Sequence, residues 1–144
     1  MKKTLLITFL LCSVAVWGQD YTNGINGQIE FYDDNGNKIG YTKYNDAYEY
    51  WEYYDQNGHM YKTKTNIDKN RAEYYNSFGK LLGSEIYREA YERTDCYDSD
   101  GRRTGYLRYD DFSNCWEIYD NDGRKVATCE WNDLKKHWAY KKLR

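Results

Sequence analysis

Proline is missing from this 144-residue chain, so nothing interrupts extended sheet pairing, which proline breaks in all but edge strands. Aliphatic side chains are also scarce: beyond residue 18, leucine, isoleucine and valine are few. A core of the usual aliphatic kind is therefore not expected. An excess of positive charge is absent too. Setting Lys2 and Lys3 aside leaves 19 basic residues against 23 acidic, a net charge of −4. That argues against a nucleic-acid partner, which favours a basic patch. Histidine appears only as His59 and His137, too far apart in the chain to argue for a Ser-His-Asp cluster.

The one long apolar run is Leu5 to Val16, preceded by two lysines and followed by Gly18 and Gln19. This is the pattern of a secretory signal peptide over residues 1–18, too short to span a bilayer well. The expected protein is exported, to the periplasm, the outer surface or the medium, with no membrane span after cleavage. Residues 19–27 then form an N-terminal cap and 28–144 a single domain.

All 18 tyrosines lie beyond that run, and many keep a beat. Tyr-Asp or Tyr-Asn, two residues and Gly recur from Tyr32, Tyr54, Tyr75, Tyr97 and Tyr119, closing on Gly36, Gly58, Gly79, Gly101 and Gly123. A period near ~22 residues signals a repeated structural unit. The blocks before each glycine are aromatic and β-branched, as strands are. Asp, two polar residues and Gly between strands fit a type I turn with a left-handed glycine. In that register the residue five before Gly faces the one three after: Phe31 with Ile39, Tyr53 with Tyr61, Tyr74 with Leu82, Cys96 with Thr104, Ile118 with Val126. Gly40, Gly83 and Gly105 recur four after the turn, with Ala127 in the fifth repeat and Lys62 as the exception. Tyr44, Tyr87, Tyr109 and Trp131 recur eight after, with Asn66 as the exception. The expected fold is all-β: five antiparallel hairpins, about ten strands, and a half repeat at Trp138-Ala139-Tyr140 capping the last edge. They would form a twisted meander or an open β-solenoid-like sheet.

Tyr32-Asp33-Asp34-Asn35-Gly36 through Gly40-Tyr41, and Trp116 through Arg124, resemble the MORN-variant repeats of bacterial proteins. They are also similar to the YD repeats of large secreted shell-forming toxins. A third likeness, to choline- and glucan-binding cell-wall repeats, rests on Trp51, Tyr53-Tyr54, Gly58 and Met60. These resemblances imply a meandering or spiralling sheet with an interaction role and no catalytic residues.

Asp98-Ser99-Asp100-Gly101 and Asp120-Asn121-Asp122-Gly123 invite a calcium reading, but Cys96 and Ile118 stand where an EF-hand loop needs its first oxygen ligand. The acidic residues therefore read as turn formers and no metal is expected. Glu30, Glu52, Glu73, Asp95 and Glu117 recur once per repeat, as on a solvated sheet face, whereas a carboxylate pair for catalysis is singular. No enzyme activity and no cofactor follow. The expectation is an exported scaffold holding a protein or an envelope glycan on an aromatic sheet face. Trp51, Tyr53, Trp116 and Trp138 are the candidate contacts. The alternative is a structural envelope component that assembles through its sheet edge. In the same register Cys115 faces Cys129, which predicts a disulfide and leaves Cys96 unpaired.

Overall fold

A computed structural model describes residues 28–143; the expected signal peptide and N-terminal cap lie outside the described residues. The strands are β1 (Gln28–Tyr32), β2 (Lys38–Asn45), β3 (Tyr50–Asp55), β4 (Met60–Asn66), β5 (Arg71–Asn76) and β6 (Leu81–Arg88). After a single 3-10 turn (Glu89–Tyr91) follow β7 (Arg93–Asp98), β8 (Arg103–Asp110), β9 (Cys115–Asp120), β10 (Lys125–Asn132) and β11 (His137–Lys142). Each strand pairs antiparallel with the next, and β11 pairs parallel with β1. The result is a closed barrel of eleven strands.

Closure corrects the expectation of an open repeat sheet. The residues read as a half repeat, Trp138-Ala139-Tyr140, belong to β11, which joins the two sides. With an odd number of alternating strands the first and last run the same way, so the seam must be parallel. No sheet edge remains among the described residues, and assembly through an edge loses its basis.

The turns form as their chemistry requires. All five turn glycines have φ between 80 and 82°, where a Cβ would be strained. In the first turn the Gly36 amide donates to the Asp33 carbonyl, and Asp33 Oδ1 accepts from the Asn35 and Asn37 amides. Just past the turn each hairpin carries a bulge, and this moves the register by one residue. Phe31 faces Gly40, Tyr53 Lys62, Tyr74 Gly83, Cys96 Gly105 and Ile118 Ala127. Ile39, Tyr61, Leu82 and Val126 instead pack partly buried against the core.

A one-residue slip exchanges the faces of a strand. Every strand therefore buries two inward-facing residues: Ile29 and Phe31, Gly40 and Thr42, Trp51 and Tyr53, Lys62 and Lys64, and so on to Trp138 and Tyr140. Large residues face small ones in the other hairpins, which is how a narrow barrel fills its interior, whereas in β3–β4 Trp51 and Tyr53 face Lys64 and Lys62. Gly40 admits its neighbour strand closely: a Cβ there would lie 2.5 Å from the Tyr54 carbonyl oxygen. The motif tyrosines stay outside, where Tyr41 stacks on Tyr54 at 4.8 Å and Tyr106 on Tyr119 at 4.7 Å. Charge recurs there at mid-strand (Glu30, Glu52, Glu73, Asp95, Glu117), the reverse of the apolar band of a lipid-embedded barrel. Among the described residues no helix is long and apolar enough to cross a membrane.

Candidate functional site

The four-residue connections 46–49, 67–70, 89–92, 111–114 and 133–136 all leave from one end of the barrel, and the glycine turns close the other. At the connection end, inward-facing aromatics meet in T-shaped pairs: Tyr44 with Trp51 at 5.4 Å, Tyr109 with Trp116 at 5.3 Å, Trp131 with Trp138 at 5.3 Å. In each pair the residue eight after a turn glycine faces an aromatic of the following strand, which for Trp51 and Trp116 lies seven before the next turn glycine. Twice the series breaks. Asn66 faces Ala72, and Tyr87 faces Thr94.

The two breaks are resolved differently. Beside Ala72 the space goes to a buried polar group. Ala72 faces Glu85 across the next ladder, and the Glu85 carboxylate pairs with the Lys64 ammonium and accepts from the Tyr74 hydroxyl at 2.6 Å. Lys62, where other repeats have Gly or Ala, lies over three rings, 5.4 Å from Tyr53, 5.7 Å from Tyr61 and 5.1 Å from Tyr74. Both lysines are buried, and a desolvated cation over aromatic faces gains about 2 kcal/mol.

Beside Thr94 the space stays open. A cleft of about 410 Å³ enters the mouth there, with Leu107, Trp116 and Trp138 on its apolar wall and Tyr87 and Tyr109 at its sides. Glu92 and Asp111 stand at the lip, with Arg93 and Arg108. The arginines are already engaged: Arg93 Nε donates to Asp95 at 2.9 Å, and Arg108 Nη2 donates to the Tyr119 hydroxyl at 3.0 Å. Among the described residues the Glu92 and Asp111 carboxylates have no such partners. The cleft thus offers flat aromatic walls with acceptors at its opening. A shallower groove of about 510 Å³ follows the seam near Tyr32, Asp33, Lys135 and His137.

The anticipated contacts fare as follows. Trp51, Tyr53, Trp116 and Trp138 share the inner surface and are 6, 1, 7 and 2 % exposed. They cannot form an exposed binding face, which overturns the aromatic sheet surface for a protein or glycan. Trp116 and Trp138 nonetheless line the cleft. The disulfide is also corrected: Cys115 faces Glu130 outside, and Cys129 faces Trp116 inside. The bulge puts the two thiols on opposite faces, and no cysteines are joined among the described residues. Burial pushes the Cys129 thiol well above its ordinary range, with Cys115 adding to the shift. Burial likewise pushes the Tyr140 hydroxyl up to about 12.

In the two turns considered for calcium, Asp98 Oδ1 accepts from the Asp100 and Arg102 amides and Asp120 Oδ1 from the Asp122 and Arg124 amides. Among the described residues no group of three or more metal-binding side chains is present. Thr94, Lys64 and Glu85 were not singled out from sequence. The exceptions at Lys62 and Asn66 were the signal that could have found this region. No family model, curated protein or solved structure matches the chain. With the closed barrel, this removes the MORN-variant and YD assignment.

Proposed function

We propose that this barrel is an exported carrier that binds a small ligand in its mouth without turning it over. The ligand has a flat, apolar body and a cationic or donor-rich end. The observation that carries this reading is Thr94, a small residue at a position that holds tryptophan in three other strands (Trp51, Trp116 and Trp138). It leaves open space against Trp116 and Trp138. Aromatic walls with a few convergent polar groups are the usual make-up of a small-molecule site, and indole faces favour a cation. Glu92 and Asp111 add acceptors of matching sign.

Titration of tryptophan emission with 9-aminoacridine, a flat cation, and with anthracene-9-carboxylate, a flat anion, tests the proposal. The cation should quench saturably and the anion weakly. Thr94→Trp should set an indole opposite Tyr87, close the cleft, and weaken cation binding at least about tenfold while the fold holds. Unchanged binding by a folded Thr94→Trp variant would place the ligand elsewhere and end this reading.

A further inference from the structure

We propose that the connection end is a docking surface for a protein whose contact face has an apolar centre flanked by basic side chains. The proposal goes beyond the cleft and does not depend on it. Each of the five connections presents one large apolar side chain to solvent: Tyr48, Ile67, Tyr91, Phe112 and Leu134. Phe112 and Leu134 are 98 and 96 % exposed, so neither ring nor branch serves the core. Among the described residues at the glycine-turn end, only Phe78 is comparable. Single exposed apolar residues are ordinary on a protein surface, but apolar groups gathered at one site mark an interaction surface.

These tips are held in place. Asn45 Oδ1 accepts from the Ala47 and Tyr48 amides, Asp110 Oδ1 from the Phe112 amide, and Asn132 Oδ1 from the Leu134 and Lys135 amides. A surface fixed before binding loses less entropy on contact. Its size is also suitable. Eleven strands tilted as barrels require give a rim roughly 30 Å across with side chains. Such a face has an area near the ~800 Å² that one partner buries in a standard interface.

Charge chooses the occupant. The five connections hold seven carboxylates (Asp46, Glu49, Asp68, Glu89, Glu92, Asp111, Asp133) and three lysines (Lys69, Lys135, Lys136), a net charge of −4, and the strand ends beside them add Arg71, Arg88, Arg93 and Asp110, which leaves the rim at −2. An anionic lipid surface is repelled by this rim, and so is a second copy presenting the same rim. A basic protein surface is attracted, and complementary charge of this kind sets specificity and association rate.

The test uses two fluorescent twelve-residue peptides, one of Leu, Phe and Arg, the other with Glu replacing each Arg. The wild-type protein should bind the Arg peptide and not the Glu peptide. Binding should weaken about tenfold from 0.05 to 0.5 M NaCl through screening, and by a similar factor in Phe112→Ser/Leu134→Ser. Both sites are solvent-exposed, so that variant should melt like the wild type. Equal binding of the two peptides, or full binding by the variant, would overturn the proposal. So would wild-type sedimentation with phosphatidylglycerol or phosphatidylcholine vesicles, or a dimer that the variant loses. Thr94→Trp separates the two readings: it should leave the Arg peptide bound. If it abolishes peptide binding, the peptide sits in the cleft and the rim is no docking surface.

Discussion

Lys64 and Glu85 meet inside the barrel with almost no water around them. Removing one partner of a buried ion pair strands the other charge, and such changes cost about 3–5 kcal/mol. Replacing both by apolar residues of similar volume is often neutral. Lys64→Met should therefore lower the free energy of urea unfolding by about 3 kcal/mol or more, and Lys64→Met/Glu85→Leu should recover most of that loss. If the double variant is as unstable as the single one, the pair is not what organises this side of the interior. At this scale the sequence was legible in its rule and misread in its exceptions. Lys62 and Asn66 depart from an otherwise apolar series, and a buried lysine is invisible until its strand is known to face inward.

Hairpins are the next scale, and the side chains that close their turns are pH-sensitive. Backbone amides of Asn37 and His59 hold the carboxyls of Asp33 and Asp55 below their ordinary value of 3.8. A depressed carboxyl stabilises the fold above the unfolded value, and that stability is lost as pH falls through the folded one. Asn76 shows that an amide serves as well, since its Oδ1 accepts from the Phe78 and Lys80 amides. Asp33→Asn/Asp55→Asn should melt like the wild type at pH 7 and above it at pH 3. A thermal scan in which the two melt together at pH 3 would remove these turns from acid unfolding. The turn itself was readable from Asp, two residues and Gly. The bulge beyond it was not, because it depends on how a twisted hairpin fits the barrel wall, and it misplaced every cross-strand pair including Cys115 with Cys129.

At the scale of the whole molecule, closure rests on one short seam, where Phe31 pairs with Trp138 and Tyr32 with Ala139. His137 stacks on Tyr32 there at 4.1 Å. Burial, and then Lys135, lower its pKa below 6.5, and Glu30 opposes the shift. The unfolded chain then binds the proton more readily, so the seam loses stability as pH falls below 6.5. Hydrogen-exchange protection along β1 and β11 should drop between pH 7 and 5.5 relative to β5 and β6, and His137→Phe should abolish the difference. Equal behaviour of all strands would show that the seam does not titrate. Nothing local in the sequence foretold closure, since it depends on strand number and stagger around the whole ring rather than on any one hairpin. The parallel seam also makes the barrel a directional object. Because β1 and β11 run the same way, residue 28 enters at the mouth and residue 143 leaves at the glycine-turn end. A tether at the C-terminus would therefore present the mouth outward from a sensor chip, whereas one at residue 28 would turn it toward the support. The polypeptide carries its own front and back, assigned by counting strands.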